Sequence, residues 1–291
     1  MSRSYIAVDW GSTHLRAWRY HDGQCVDHLQ QPYGVSRLVD KTPRQVFDTY
    51  IAPWRQQSLL PVVMAGMIGS DAGWQPVPYL PCPQSLLALS AHLFAVAEQV
   101  WIVPGLKLHR EGRCNVMRGE ETQLLGAMQL APASCYVMPG THSKWVHVAN
   151  NRVDHFSTAM TGELHHLLMT HSLIGRGLPE QDHDEAAFLA GLRCGLDSPS
   201  LVSRLFEARA SRLLDELAAE QVSDWLSGLL IGAEVAAMLA EHAATKITLV
   251  GSESLCHRYR QALLLAGVTV DEVAGDAAFQ HGIRSLLDAR D

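Results

Sequence analysis

The chain has no block of consecutive lysines and arginines, and its formal net charge is -7. Binding to a phosphate backbone depends on clustered cations, so nucleic acid is not an expected partner. Only 18% of residues are charged against 47% apolar, and no long disordered tail or low-complexity segment is expected from that balance. Cys25, Cys82, Cys114, Cys135, Cys194 and Cys256 include no close pair. That spacing argues against a disulfide framework or a zinc site and for reduced thiols in a cytoplasm. The lead into Tyr5 has no cationic segment followed by a long apolar stretch, and no run reads as long enough to cross a bilayer, so neither secretion nor membrane insertion is expected. Both common glycine-rich nucleotide cradles, GxxxxGK[ST] and GxGxxG, are also missing. A phosphate would have to be held another way.

What is present fits two lobes. A chain of 291 residues exceeds the common range of one domain, and lobes of about 100–150 residues each are expected. We read residues 1–131 as the first and 132–291 as the second. Tyr5 to Asp9 is an apolar run ending in a carboxylate; Gly11-Ser12-Thr13 makes a turn; His14 to Tyr20 alternates again, giving strand, turn, strand. Leu60 to Ala65 reads as a strand closed by the glycine-rich stretch from Gly66 to Ser70. Apolar spacing predicts a helix over 85–99 and a strand over 100–103. Gly119 to Leu130 opens as a helix with two carboxylates. The strand, turn, strand pattern then recurs in SCYVMPGTHSKWVHVANN, with Gly140-Thr141 at the turn. Two such units about one lobe apart suggest a duplicated α/β architecture. Further on, Thr161-Gly162-Glu163 opens a helix, Val222 to Ala233 has the rhythm of a buried helix, and Lys246 to Val250 is a strand ending at Gly251-Ser252.

A turn of small residues between strands aims several backbone N–H groups at one point and lets an anion come close. Gly11-Ser12-Thr13 and Gly140-Thr141-His142 both have this composition. The competing reading of each is a plain hairpin turn. His165, His166 and His171 lack the spacing of a zinc site.

These segments carry a resemblance. IAVDWGSTHLRAW resembles the first phosphate motif of the actin and sugar kinase superfamily; VMPGTHSKWVHV stands in the place of the second, and TLVGSESL in that of the adenosine motif. MRGEETQLLGA, TGELHHLL, HSLIGRGLP, LSGLLIGAEVA and AGDAAFQHGIRS narrow it: almost the whole chain resembles the 2-dehydro-3-deoxygalactonokinase family. One departure is Met138-Pro139, where many superfamily members begin the second motif with an acidic residue. The resemblance implies two ribonuclease H-like (actin-like ATPase) lobes, each a mixed five-stranded sheet flanked by helices, with ATP in an inter-lobe cleft. It also implies MgATP-dependent phosphorylation of a deoxy-keto sugar acid, 2-dehydro-3-deoxy-D-galactonate, at its 6-hydroxyl.

Residue roles follow from that placement. Asp9 is the candidate magnesium carboxylate, with turn capping as its alternative. Gly11, Ser12, Thr13, Gly140, Thr141 and His142 are the expected ATP phosphate contacts, and Lys144 is the nearest lysine to the second turn. Thr161, Gly162, Glu163, Gly251 and Ser252 are expected at the nucleoside, against the alternatives of an N-cap at Thr161 and ordinary packing. Gly228 and Gly232 read more readily as helix-packing glycines. Glu120 and Glu121 are candidates for the base that takes the hydroxyl proton, Glu121 preferred, although carboxylates also favour helix N-termini. Arg16, Arg37 and Arg118 are candidates for the sugar-acid carboxylate, and Gly66 and Ser70, with Trp74 nearby, for the sugar pocket. The partner expected is a small-molecule sugar acid; oligomeric state stays open, a homodimer being one option. Two other functions are compatible with the residues, an exopolyphosphatase-like phosphohydrolase and a nucleotide-dependent actin-like structural or regulatory protein.

Overall fold

The computed structural model describes residues 4–110, 112–197 and 200–290. These fall into two compact units. One holds the chain up to Pro132, Val148–Phe156 and the stretch from Gly275 onward; the other holds Ala133–His147 and Ser157–Ala274. The C-terminal helix, read with the later half of the sequence, thus belongs to the first unit.

The first unit is built on β1 (Tyr5–Trp10), β2 (Leu15–His21), β3 (Gln24–Gln31), β4 (Val62–Ala65), β5 (Phe94–Ala97) and β6 (Val100–Ile102). Their order in the sheet is β3-β2-β1-β4-β6-β5, six strands where five were expected. β1 pairs antiparallel with β2 and parallel with β4, and β4 pairs parallel with β6. A strand covered on both faces reads as a continuous apolar run, as YIAVDW does. Ile6, Val8 and Trp10 meet Phe47, Val62 and Met64 in one core.

The sixth strand comes from a segment read as helical. Residues 87–92 form a 3-10 turn, and Phe94–Ala97 turns back through Gln99, at φ 55, to pair antiparallel with β6. The apolar spacing was real, since Leu86 and Leu89 are buried, but the later residues satisfy their backbone groups by pairing along β6. The helix Glu120–Leu130 lies on the C-terminal helix Gly275–Asp288. A Cβ at Gly126 would overlap the Ala278 carbonyl, and one at Gly282 would overlap that of Thr122, so the two backbones touch.

The second unit contains β7 (Cys135–Met138), the start of β8 (Ser143–Ala149), β9 (Lys246–Gly251) and β10 (Thr269–Ala274). β7 pairs antiparallel with β8 and parallel with β9, and β9 pairs parallel with β10. That succession matches β2, β1, β4 and β6 of the first unit, so the duplication seen in the sequence extends to strand topology. Helices Glu185–Asp197 and Val222–His242 pack on one another through four glycines. A Cβ on Gly191, Gly195, Gly228 or Gly232 would run into the backbone of the opposing helix. Close helix packing therefore accounts for Gly228 and Gly232. The reading that no run could cross a bilayer needs one correction. The helical stretch Ala219–His242 is long and apolar enough by composition alone, although 67% of its most apolar window is buried within the protein.

Candidate active site

In the first unit the site begins where β1 ends. Asp9 stands opposite Arg16 in the β1–β2 register, and the Arg16 guanidinium bonds both Asp9 and Asp276, at the start of the C-terminal helix. Burial pushes the Asp9 carboxyl above its usual range, and the Arg16 charge opposes that shift.

Gly11, Ser12 and Thr13 follow, with Ser12 and Thr13 exposed. The turn is braced by a segment the sequence reading overlooked: Val35 N–H donates to Gly11 O at 3.0 Å, and Ser36 N–H to Ser12 O at 2.9 Å. A Cβ on Gly34 would collide with the Ser12 carbonyl, so only glycine lets this brace approach. Among the described residues the Ser12 and Thr13 amides donate to no backbone acceptor, leaving two N–H groups for an anion.

Two more glycines gather the rest. Gly66 has φ +98, and a Cβ there would lie 2.8 Å from Trp10 O and 3.6 Å from Asp9 Oδ1. Gly119 has φ +106, and its Cβ would lie 3.1 Å from Gly66 Cα. The end of β1, the loop after β4 and the start of the 120–130 helix are thereby stacked without side chains between them. Glu121 turns back over this junction: its Oε2 accepts from Gly119 N–H at 2.7 Å and its Oε1 from Thr122 Oγ1 at 3.2 Å. It is 0% exposed, and burial, reinforced by the Glu120 charge, pushes its carboxyl up to about 8. Glu120 is less buried and accepts from Arg118 N–H at 2.9 Å.

The three arginines separate clearly. Arg16 is committed to two carboxylates. Arg37 is exposed in a short 3-10 turn. Arg118 lies 4.2 Å over the Tyr79 ring and donates from Nη2 to the Val77 carbonyl at 2.6 Å, while its buried Nε and Nη1 have no hydrogen-bond partner among the described residues. Ser70 Oγ closes its own turn onto Met67 O at 2.7 Å. Trp74 packs on Phe47 with ring centroids 5.1 Å apart, so its half-buried ring lies against the core.

In the second unit Gly140, Thr141 and His142 join β7 to β8, and their amides donate to no backbone acceptor among the described residues. The helix Thr161–His171 abuts them: a Cβ on Gly162 would lie 2.6 Å from Gly140 O, and Glu163 N–H donates to Thr141 O at 3.0 Å. The Glu163 carboxylate pairs with His142 Nε2. Gly251, ending β9, is close to Pro139, with 3.7 Å between its would-be Cβ and the Pro139 carbonyl, and Ser252 stands at the N-cap position of the following helix without a side-chain cap bond. Lys144 is 6% exposed and donates to Thr158 Oγ1 at 3.1 Å, so it is no solvated surface cation. His165 bonds the Ser223 carbonyl through Nε2 at 3.0 Å.

Thr161 does not cap its helix; Met160 occupies that position, and the Thr161 hydroxyl donates to Glu234. Glu234 was missed. It is 6% exposed and also accepts from Trp145 Nε1 at 2.7 Å and Tyr259 Oη at 2.6 Å. Burial raises its carboxyl above the ordinary value, and the hydrogen bonds from Thr161, Tyr259 and Trp145 oppose this. The available signal was a single carboxylate inside the apolar helix LSGLLIGAEVA.

Residues 9–286 match the 2-keto-3-deoxy-galactonokinase family. The chain is 52% identical to the 2-dehydro-3-deoxygalactonokinase of Escherichia coli strain K12, over 99% of each protein. A solved Sinorhizobium meliloti chain, itself a proposed 2-dehydro-3-deoxygalactonokinase, is 34% identical, superposes with a TM-score of 0.89 and is matched over 97% of its length by 98% of this one. Component A of the Acidaminococcus fermentans (R)-2-hydroxyglutaryl-CoA dehydratase shares the fold at a TM-score of 0.54 and 13% identity, covering 99% of each chain.

Proposed function

The chain belongs to the 2-keto-3-deoxy-galactonokinase family, which makes it a carbohydrate kinase, and we propose that it transfers the γ-phosphoryl group of MgATP to the 6-hydroxyl of 2-dehydro-3-deoxy-D-galactonate in the cytoplasm. The observation that carries this reading is the 52% identity maintained over 99% of the chain. On that footing the exopolyphosphatase-like and the actin-like structural or regulatory alternatives are set aside.

Phosphoryl transfer asks a protein mainly for positioning and for charge to meet charge. The amides of Ser12 and Thr13, and of Gly140, Thr141 and His142, which donate to no backbone acceptor among the described residues, are the proposed phosphate contacts, with Lys144 adding a cation beside the second turn. Gly162, Glu163, Gly251 and Ser252 border that second turn and are assigned to the nucleoside. MgATP, when bound, supplies the phosphoryl group and a divalent charge on its oxygens. Asp9 fits such an ion as a single carboxylate beside a phosphate turn, because magnesium keeps several waters and needs few protein ligands.

The acceptor side is assigned to the first unit. Glu121 is assigned to take the hydroxyl proton as the new bond forms; with its carboxyl pushed up to about 8 by burial, it does so from its ionised fraction. Arg118 receives the sugar-acid carboxylate, since it alone of the three candidate arginines has buried donors without a partner. Gly66 and Ser70 line the approach of the hydroxyls. The fold assignment is an actin-like ATPase, supported by the strand succession common to the two units.

A coupled assay of ADP release with a panel of 2-keto-3-deoxy sugar acids tests the reading. The expected result is turnover with the galactonate-derived acid. Folded protein that released no ADP above background with any of them would overturn it.

A further inference from the structure

Glu234 is a carboxylate in the apolar interior of the second unit, and each of its partners is a donor. Trp145 Nε1 donates to Oε1 at 2.7 Å; Tyr259 Oη at 2.6 Å and Thr161 Oγ1 both donate to Oε2. Tyr259 Oη is in turn 2.7 Å from Ser143 Oγ. Burying a carboxylate is costly, and an apolar side chain of similar size would often serve stability as well. What an apolar residue lacks is direction, and direction is what this location needs.

The donors are placed around one feature. Ser143 and Trp145 begin β8, directly after Gly140-Thr141-His142. Thr161 immediately precedes Gly162, where a Cβ would lie 2.6 Å from the Gly140 carbonyl, and Glu163, whose amide holds the Thr141 carbonyl. One carboxylate thus ties together the strand leaving the turn, the helix end pressing on it and, through Tyr259, the helix Glu253–Leu265 that follows Ser252.

We propose that Glu234 is the positioning residue of the second phosphate turn, holding the Gly140–His142 backbone in its anion-binding conformation through Thr161, Trp145 and Tyr259. This rests on the kinase reading for what the turn binds. Glu234 touches no substrate; it acts through the amides it orients. The chemistry of the donors specifies the side chain. Trp145 Nε1 can only donate, and a carboxylate accepts from it and from both hydroxyls at once, whereas a glutamine that keeps its oxygen on Trp145 turns its NH2 to Thr161 and Tyr259 and reverses those two bonds.

Binding of MgADP by calorimetry, alongside steady-state kinetics, tests this in Glu234→Gln, Tyr259→Phe and the double variant. Each single change is expected to weaken MgADP binding and raise the ATP KM by about tenfold, with the sugar-acid KM held within about twofold, and the pair to be less than additive. Should Glu234→Gln fail to fold, Tyr259→Phe, which keeps the buried ring, carries the test. A lowered melting temperature with wild-type MgADP affinity in these variants would assign Glu234 to the core alone and overturn the proposal. Wild-type protein that bound MgADP yet phosphorylated no sugar acid would instead count against the kinase reading and leave this one standing.

Discussion

Arg16 faces Asp9 directly across the β1–β2 pair and carries one guanidinium between that carboxylate and Asp276. β-Pairing fixes which residues stand opposite, so this partnership follows from a register, and a slip of one residue would send Arg16 to the other face.

Replacing Arg16 by Met should therefore act first on the fold. Removing one partner strands a largely buried carboxylate, and after discounting for the 33% exposure of the arginine side chain a loss of about 2 kcal/mol is expected. Urea unfolding at neutral pH measures it. A change below about 0.5 kcal/mol would show that Asp9 does not need its cation.

Glu121 predicts a pH dependence of stability. Its folded carboxyl is pushed up to about 8 from an ordinary 4.5, so the folded state holds that proton more tightly than the unfolded chain does. The contribution is full below 4.5, declines as pH rises and is lost above about 8. Glu121→Gln removes the group, and its urea midpoint should fall less than that of the wild type between pH 5 and pH 8. As the proposed base, the same variant should lose about a hundredfold or more in kcat. Unchanged turnover would remove Glu121 from that role.

The second turn offers a paired glycine test. A Cβ at Gly162 would sit 2.6 Å from Gly140 O, while one at Gly140 meets nothing within 4 Å. Gly162→Ala should cost about 1–3 kcal/mol and displace the turn, raising the ATP KM, whereas Gly140→Ala should leave stability within about 0.5 kcal/mol of wild type. Thermal melts and ATP kinetics on both variants decide it; equal effects would mean that the helix does not press on the turn.

Arg118→Met should raise the KM for the sugar acid by about tenfold or more and leave the ATP KM alone, because the change removes the proposed charge-assisted contact to one substrate. A sugar-acid KM within twofold of wild type would reassign the carboxylate contact, with Arg16 the next candidate despite its two present partners.

Much of the fold could be read from residues because local patterns carry it. YIAVDW, the run from Lys246 to Gly251 and the carboxylate-opened helix after Gly119 are each specified by a dozen residues or fewer, and each lies where the periodicity put it. Residues 94–97 went the other way. Phe94, Val96 and their neighbours suit a strand as well as a helix, and the free edge of β6 decided between them. Gly34 illustrates the same gap at the site, since nothing near it in sequence reveals that it must clear the Ser12 carbonyl 22 positions earlier.

What the sequence alone determined was most of the strands and turns, the small-residue composition of the Gly11–Thr13 and Gly140–His142 turns and, through its motifs, the family. Those properties are local or are shared with relatives along the whole chain. Tertiary structure decided which polar groups meet: Arg16 with Asp9 and Asp276, and Glu234 with Trp145, Thr161 and Tyr259. These partners are up to 260 positions apart. Which donor faces which acceptor at such separations depends on strand register and on how closely helices approach, and no window along the chain contains that information.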